Sequence, residues 1–354
     1  MGPTSTITLE QGRGAYRALV QRKKLVLLVL ALVLVVSVIA DLGLGPARYT
    51  MREVVLALLG SPDVSHQIHV VIWDIRMPVA LMAVVVGAAL SAAGAQMQTI
   101  LNNPLASPFT LGISAAASFG ASLALVFGVG FLPFAINYVV SINALLMAMA
   151  AALFIHVMSQ RRGVTIETIV LLGIALVFTF NALLALVQYL ASEQALAAVV
   201  FWTMGSLTRA TWPKLGITTV ALVVSLPLFA RQAWALTALR LGEDKAASFG
   251  VNVRRLRLET MMIVSLLAAI PVAFVGTIGF VGLVGPHIAR MLVGEDQRYF
   301  LPASVLSGAA LLSLTSVISK SLVPGTVFPI GIITALVGVP FLFSLIMTSR
   351  RRAW

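Results

Sequence analysis

Long apolar runs divide the chain, and charged or Pro/Gly-rich breaks separate them. A membrane-spanning helix needs about 20 apolar residues, and this spacing predicts ten spans. Their expected bounds are residues 25–41, 77–98, 108–127, 135–158, 166–190, 213–230, 256–276, 280–293, 301–321 and 329–348. The runs are continuously apolar rather than alternating, which is not the pattern of a membrane β-barrel. The chain is therefore predicted to be an all-α polytopic membrane protein with about ten transmembrane helices.

Three segments depart from the simple spanning pattern. Residues 280–293 are short for a full crossing, so this run is expected to be tilted, buried or partly re-entrant. Residues 50–60 have the pattern of a short amphipathic helix outside the membrane. Residues 193–205 are too short and too broken to cross, and they predict a re-entrant or interfacial half-helix.

The second predicted span carries a stripe of small residues. Ala83, Gly87, Ser91 and Ala95 recur every four positions, a spacing that lets helix backbones approach closely. Tight helix packing is the favoured interpretation of this stripe. Room for a bulky substrate at a dimer axis is the alternative.

Composition supports the membrane assignment. Of the 354 residues, 60% are hydrophobic and 10% are charged, whereas a soluble domain has about 25% charged residues. This balance excludes a soluble enzyme, a disordered protein and a nucleic-acid-binding domain. We expect a single transmembrane domain over residues 25–348, a cytoplasmic extension over 1–24 that lacks the features of a cleavable signal, and a basic cytoplasmic tail over 349–354.

Lys and Arg residues indicate the orientation of the spans. The formal net charge is +12, and cytoplasmic loops of membrane proteins are enriched in Lys and Arg. Ten spans with a cytoplasmic N-terminus place 18 of these residues inside and 6 outside. The split predicts that both termini are cytoplasmic.

The spans lack the groups that several transport mechanisms need. No Asp, Glu, Lys or Arg lies in the middle of any predicted span, which argues against a proton-coupled carrier and a voltage sensor. The chain has no G-x-x-x-x-G-K-[ST] motif, so an ATP-driven mechanism would need an ATPase on another chain. It also has no cysteine, which excludes disulfides and Cys-ligated metals.

Histidines are the remaining candidate ligands. His66 and His69 could share a helix face and bind a metal or haem, but a solvated loop pair is the favoured interpretation. His287 follows Pro286 in the short eighth span, where packing is favoured over a role as haem or metal ligand. We therefore predict no metal site and no catalytic residue.

Motifs occur at several positions along the chain. Asn102-Asn103-Pro104 cannot continue a helix, because proline disfavours the α region for the residue before it. The chain should therefore turn sharply at the inner face. The turn lies within GAQMQTILNNPLASPFTLGIS (94–114), and the later blocks are WTMGSL (202–207), GFVGLVGPHIARMLVGEDQRYFLP (279–302) and PIGIITALVGVPFLF (329–343).

These blocks resemble the permease subunit of type II ABC importers, the BtuC/FecCD family, over roughly residues 25–348. The resemblance implies a BtuC-like fold and ATP-driven import of an iron complex, haem or a ferric siderophore, from the periplasm; cobalamin is the alternative cargo. It implies no cofactor on this chain, with ATP and Mg bound by a partner ATPase. The expected partners are a second permease copy, two ATPase subunits and a periplasmic binding protein, in a bacterial inner membrane. An ATP-independent secondary carrier is the alternative from another class.

The largest predicted cytoplasmic loop, residues 231–257, carries a short helix signal. Glu243 and Asp244 lie where a helix N-terminus favours negative charge, and Gly250 can end the helix with a positive φ. The residues alone leave two interpretations open, an ATPase-docking loop and a loop that faces lipid headgroups. The resemblance favours docking and assigns it to Leu241, Gly242, Glu243, Asp244, Lys245, Ala246, Ser248 and Gly250.

The resemblance also assigns two cytoplasmic gate segments. Asn103 and Leu105 match the family's constriction between the second and third spans, and Thr165, Ile166 and Glu167 fall in the second gate loop. Relatives usually have small hydroxyl residues there, so Glu167 is a departure. A charge placed at a helix N-terminus is the alternative interpretation of Glu167.

On the outer face, the resemblance assigns docking of the binding protein to Arg76 and Lys320. Val79 stands where a second arginine is expected, and Val327 stands where many relatives have glutamate. Exposed charge pairs mainly steer docking and fix its register. Val79 and Val327 are therefore departures from the family pattern on this face.

Overall fold

A computed structural model describes residues 9–45, 47, 49–130, 138–161, 163–323 and 325–349. Helices form the regular secondary structure of these residues, and no strand is present among them. In chain order the helices are α1 (Leu9–Gly43), α2 (Met51–Leu58), α3 (His66–Val70), α4 (Met77–Ile100), α5 (Ile113–Phe127), α6 (Val139–Ser159), α7 (Ile166–Tyr189), α8 (Glu193–Thr203), α9 (Trp212–Arg231), α10 (Ala233–Leu239), α11 (Glu243–Ser248), α12 (Val253–Val275), α13 (Val281–Val293), α14 (Gln297–Ser321) and α15 (Ile330–Ser349). A π-helical turn, Val71–Arg76, joins α3 to α4, and a 3-10 turn, Leu207–Arg209, precedes α9.

Seven helical segments of the described chain are long and apolar enough to cross a membrane. They comprise α1, the continuous pair α3–α4, α6, α7, α9, α12 and α14. Three shorter apolar helices, α5, α13 and α15, accompany them. Each predicted span thus corresponds to one helix or helix pair, which confirms the all-α polytopic fold.

The first helix is longer than the span that hydropathy predicts. It begins at Leu9 and continues to Gly43, whereas the apolar run begins only at residue 25. Lys and Arg have good helix propensity, so polarity marks where the apolar run begins but not where the helix begins. From Leu9 onward, the predicted extension is therefore the same helix as the first span.

The second span also begins earlier than hydropathy indicates, because α3, the π-helical turn and α4 form one continuous helix. Pro78 lacks an amide hydrogen. The amide of Met77, just before it, donates to Ile72 O, five residues back, which is the π-helical spacing. Asp74 and Arg76 lie within this continuous helix.

The third span begins at Ile113 rather than at residue 108. Ser107 N donates to Thr110 Oγ1 at 3.1 Å, and Thr110 N donates to Ser107 Oγ at 3.3 Å. Such side-chain bonds compete with helical bonding and stabilise turns. The start of the fourth predicted span falls partly on residues 131–137, which lie outside the described residues.

Helix α4 is the centre of the fold. Every residue from Val86 to Ile100 is buried. A side chain at Gly94 would overlap the backbone carbonyl of Gly282 in α13, and Ser91 Oγ donates to Ser304 O in α14 at 2.6 Å. These contacts confirm the tight-packing interpretation of the small-residue stripe.

The segments that departed from the spanning pattern form short helices. In α2, the amide and hydroxyl of Thr50 donate to Glu53, and these hydrogen bonds lower the pKa of Glu53. The helix buries Val54 and Ala57. Helix α8 begins at the N-cap Ser192, and the short α13 is largely buried, as expected for a run too short to cross on its own.

Candidate functional site

The expected short helix is present in residues 241–250, here called the docking segment. Helix α11 carries Glu243 and Asp244 in its first turn. Gly250 follows the helix with a φ of 82°, a value that favours glycine because glycine has no Cβ. The prediction of a capped helix at this position is confirmed, and docking on an ATPase stays a prediction.

The docking segment exposes charged and apolar surface together. The predicted docking residues with exposed side chains or backbone are Leu241, Gly242, Glu243, Asp244, Lys245, Ser248 and Gly250. Leu241 and Phe249 have exposed fractions of 58% and 54%, whereas Ala246, within α11, is fully buried. Sequence analysis did not single out Phe249, although exposed aromatic residues commonly anchor protein interfaces. The segment therefore offers a partner two apolar anchors around a charged centre.

The chain leaves α4 through residues 102–105, here called the gate turn. Asn102 has a φ of 40°, in the left-handed region that Asn tolerates better than most residues. Asn103 Oδ1 accepts a hydrogen bond from the Leu105 amide at 2.9 Å. Leu105 is 40% exposed, so the apolar side chain assigned to the gate is accessible. The hydrogen bond from its amide to Asn103 stabilises the turn that carries it.

The second predicted gate segment forms the start of α7. Thr165 is the N-cap, and its hydroxyl accepts a hydrogen bond from the Thr168 amide at 3.4 Å. Glu167 is exposed in the first turn, where the helix dipole stabilises a carboxylate. This placement fits the helix-N-terminus interpretation of Glu167. Gating by Thr165, Ile166 and Glu167 stays a prediction.

Helix α7 lies directly against the chain that follows the gate turn. A side chain at Gly173 would lie too close to the side chain and Cα of Leu111 and would contact the carbonyl of Thr110, so α7 packs tightly on this part of the chain. The structure thus places the two predicted gate segments on neighbouring elements. This proximity was not deducible from the separation of the segments along the chain.

An ionic network that sequence analysis missed lies beside the gate turn. Arg240 pairs with Glu295 and donates to Asn102 Oδ1 at 3.2 Å. Arg290 pairs with Glu295 at 3.0 Å and donates to Gln98 Oε1 at 2.9 Å. The only sequence signal was the clustering of Arg and Glu at the ends of predicted spans, which does not specify partners.

At the opposite end of the molecule, Arg76 is 5% exposed. Its guanidinium donates to Leu42 O at 2.7 Å, to Gly43 O at 3.2 Å and to Ala47 O. These carbonyls lie at and just after the end of α1, where helical hydrogen-bond partners run out. Arg76 therefore caps the C-terminus of α1 by donating hydrogen bonds to these carbonyls. Its contact with a binding protein stays a prediction.

Lys320 forms a buried ion pair with Asp41. Lys320 Nζ lies 2.9 Å from Asp41 Oδ1, and the two side chains are 7% and 0% exposed. Asp41 is the only acidic residue in the predicted span 25–41, and sequence analysis did not single it out. Removing one partner of a buried pair costs about 3–5 kcal/mol, so the pair fixes α1 against α14. A docking role for Lys320 stays a prediction.

A cavity of about 620 Å³ lies where α8 ends and α13 begins. Phe109, Phe280 and Leu336 are among its apolar walls, and Thr203 and Thr277 contribute the side-chain hydroxyls. None of the described residues that line it is charged. The cavity is within the size range of small-molecule sites, which is about 300–1,000 Å³.

His69 and His287 have structural contacts. His66 and His69 lie on α3, not in the loop that the sequence favoured, because the helix extends beyond the apolar run. His69 Nε2 lies 3.1 Å from Ser61 O. His287 packs edge-on against Phe341, with ring centroids 5.4 Å apart, which fits the packing interpretation. Among the residues that the structure describes, no group of three His, Asp or Glu is placed to hold a metal ion.

Comparison with known proteins gives matches over nearly the whole chain. The model of the FecCD transport family matches residues 32–348. An ABC transporter permease protein of Methanocaldococcus jannaschii is 40% identical over 344 residues, which are 95% of this chain and 98% of the relative. The hemin transport system permease protein HmuU of Yersinia pestis is 33% identical over 325 residues, which are 92% of this chain and 97% of the relative.

A solved structure agrees with these matches. A metal-chelate type ABC transporter in an inward-facing conformation has a TM-score of 0.79 at 32% identity, over 91% of this chain and 98% of that one. Further relatives are named for import of Fe(3+)-citrate, molybdate and vitamin B12. The matches agree on the architecture and differ in the cargo for which each relative is named.

Proposed function

The chain belongs to the FecCD transport family and is an ABC importer permease, and from this premise we propose that its cargo is an iron complex, haem or a ferric siderophore. Relatives named for hemin and Fe(3+)-citrate support an iron complex. Cobalamin is the second candidate, because another relative is named for vitamin B12. Import would run from the periplasm to the cytoplasm of a bacterial cell.

The cavity where α8 ends and α13 begins supports the part of the proposal that makes the cargo an organic chelate. A small oxyanion such as molybdate is strongly hydrated, and it loses this hydration at a high cost unless donors or cations replace it. The described lining has no cation, and the hydroxyls of Thr203 and Thr277 already donate to the carbonyls of Val200 and Thr203. An organic chelate presents mainly carbon surface to such walls. The lining thus favours a chelate over an oxyanion, and a wall without strong donors also binds cargo weakly enough to release it.

The proposed assembly contains two copies of this chain, two ATPase subunits and one periplasmic binding protein, with both termini of the chain in the cytoplasm. ATP and Mg would be bound by the ATPase subunits, since this chain has no P-loop motif. The exposed Leu241 and Phe249 support contact of the docking segment with an ATPase. Asn103 and Leu105, together with the 165–167 segment, would form the cytoplasmic gate.

Affinity purification of the tagged chain from its native host, in gentle detergent, tests this assembly. We expect mass spectrometry to identify a P-loop ATPase, a binding protein and one permease sequence. A folded, monodisperse chain that is recovered without an ATPase would contradict the assembly and favour an ATP-independent carrier. Two different permease sequences would replace the homodimer with a heterodimer.

Uptake into liposomes that contain the purified complex and ATP tests the cargo. The binding protein is supplied with haemin, a ferric hydroxamate, cyanocobalamin or molybdate in separate reactions. We expect ATP-dependent uptake of haemin or the ferric hydroxamate. Uptake of cyanocobalamin or molybdate alone would refute the proposed cargo.

The docking segment has its own test in the same assay. The double variant Glu243→Lys with Asp244→Lys reverses the charge of the exposed first turn of α11. We expect it to abolish uptake while the size-exclusion profile of the isolated chain stays native. Normal uptake by this variant would refute docking at α11.

A further inference from the structure

An arginine from another helix caps the C-terminal end of α4 with a hydrogen bond. The last carbonyls of a helix have no partners within it. Arg257, in α12, donates from Nε to Ile100 O at 3.2 Å, and Ile100 is 1% exposed. Arg257 is thus attached to the residue at which α4 gives way to the gate turn.

The same guanidinium also binds the docking segment. Arg257 Nη2 donates to Glu243 Oε1 at 2.5 Å, and the two side chains are 18% and 53% exposed. A guanidinium is planar and rigid, so its two hydrogen bonds fix Glu243 relative to Ile100. A displacement of α11 must therefore move the end of α4 or break one of these bonds.

Arg240 makes a second connection at the base of the docking segment. It donates to Asn102 Oδ1 at 3.2 Å and pairs with Glu295. Glu295 is held in turn by Arg290 at 3.0 Å, which links the loop between α13 and α14. The connections from Glu243 and from the neighbouring Arg240 thus end on the last residue of α4 and on the gate turn.

We propose that Arg257 is a positioning residue that transmits displacement of the docking segment to the gate turn, with Arg240 as a parallel link. The proposal rests on the proposed function, because it requires an ATPase that moves α11. Movement of Glu243 is passed through the guanidinium to Ile100 and from there to Asn103 and Leu105. Charge-assisted hydrogen bonds are roughly twice as strong as neutral ones, which suits them to transmit this displacement.

Arg255 provides a matched control on the same helix. Its Nε lies 2.7 Å from Glu259 Oε1, one turn along α12, and the Arg255 side chain is 77% exposed. This pair has the same chemistry as Arg257 with Glu243, but it joins neither the docking segment nor α4. Arg255→Ala therefore removes an ion pair from α12 without interrupting the connection.

The experiment follows the gate turn directly, so it does not depend on which cargo is transported. The chain has no cysteine, and Leu105→Cys introduces a single thiol at an exposed position of the gate turn. The full complex is labelled with a maleimide, with and without ATP and vanadate. The ratio of the two labelling rates measures the nucleotide-dependent movement of the gate, and ATP hydrolysis is measured in parallel.

We expect Arg255→Ala to keep the labelling ratio of the Leu105→Cys parent. Arg257→Ala should reduce the nucleotide-dependent change at least fivefold while ATP hydrolysis continues. Glu243→Ala removes the acceptor and breaks the same connection from the docking side without altering α12, so it decides the matter if Arg257→Ala does not assemble. The proposal is overturned if both variants retain the nucleotide-dependent change in labelling rate. It is also overturned if ATP hydrolysis is lost together with that change, because this result places both residues in docking rather than in transmission.

Failure of the proposed function gives a different result. In that case no ATPase would co-purify with the Leu105→Cys parent, or the labelling rate of its introduced thiol would not respond to nucleotide. The positioning role is judged only against a parent that responds, so the two failures remain distinguishable.

Discussion

Helices α4 and α7 are both apolar and long enough to span a membrane, yet they occupy opposite environments. In α4 every residue from Val86 to Ile100 is buried. In α7 the buried residues are Ile169, Gly173 and Val187, and Phe178 is 71% exposed. Hydropathy alone therefore does not indicate which helix lies at the centre.

The size of the side chains accounts for the difference. The central part of α4 is rich in Ala, Gly and Ser, whereas α7 is rich in Leu, Val and Phe. Within a membrane, lipid is as apolar as a leucine side chain, so helices associate through close packing rather than through a hydrophobic drive. Small residues place a helix inside the bundle, and large apolar residues suit a surface that faces lipid or a second copy.

The largest expected effect comes from breaking the close packing of α4. A side chain at Gly94 meets the backbone of Gly282. Overpacking costs about 1–3 kcal/mol where side chains can shift, but a helix backbone yields less readily. We expect Gly94→Leu to remove the native peak in size-exclusion chromatography of the detergent-solubilised chain.

The matched control adds the same side chain to the exposed helix. Ala175 in α7 is exposed, so Ala175→Leu should retain the native peak. Equal behaviour of the two variants would show that the packing contrast between α4 and α7 does not govern folding.

A smaller loss is expected from the ion pair between α1 and α14. Asp41→Asn leaves the buried ammonium of Lys320 without its counter-charge, which costs about 3–5 kcal/mol in the free energy of unfolding. The double variant Asp41→Asn with Lys320→Met should recover most of this loss, because no buried charge remains. Denaturation in mixed detergent micelles measures all three proteins.

An exposed pair calibrates that result. Arg255→Gln breaks a surface ion pair, for which the expected cost is below about 1 kcal/mol. If Asp41→Asn destabilises no more than Arg255→Gln, the pair at the end of α1 is not buried in the folded protein.

The smallest effect is expected on the exposed face of α7. Phe178→Leu changes a side chain that makes little contact within the chain, so the free energy of unfolding of the monomer should change by no more than about 0.5 kcal/mol. The same denaturation assay measures it. A loss as large as that of Asp41→Asn would place Phe178 in a packed interior and remove the contrast with α4.

The sequence predicted those features that depend on neighbouring residues. The spans follow from the length of apolar runs, and α11 follows from Glu243, Asp244 and Gly250 within a few positions. The turn after α4 follows from Asn103 and Pro104. Helix ends were less predictable, because α1 and α3 continue through polar residues beyond the apolar runs.

The candidate site was predicted only in part. The helix of the docking segment and the turn after α4 were predicted, but Arg257, Arg240 and Glu295 were not assigned, since their partners lie far away along the chain. Arg76 and Lys320 were assigned to docking of a binding protein, which stays a prediction, and their partners within the chain were not foreseen. In the fold each is already occupied by groups at the end of α1.

The sequence by itself determined that this protein is a bundle of membrane-spanning helices with a short charged helix between two spans, because hydropathy, caps and turns are local. Only the tertiary structure decided which helix is central, which charges are paired and that Arg257 joins Glu243 to the end of α4. The physical reason is that burial and charge pairing depend on which surfaces meet in space. One-dimensional patterns record what each surface offers, but not which surface it meets.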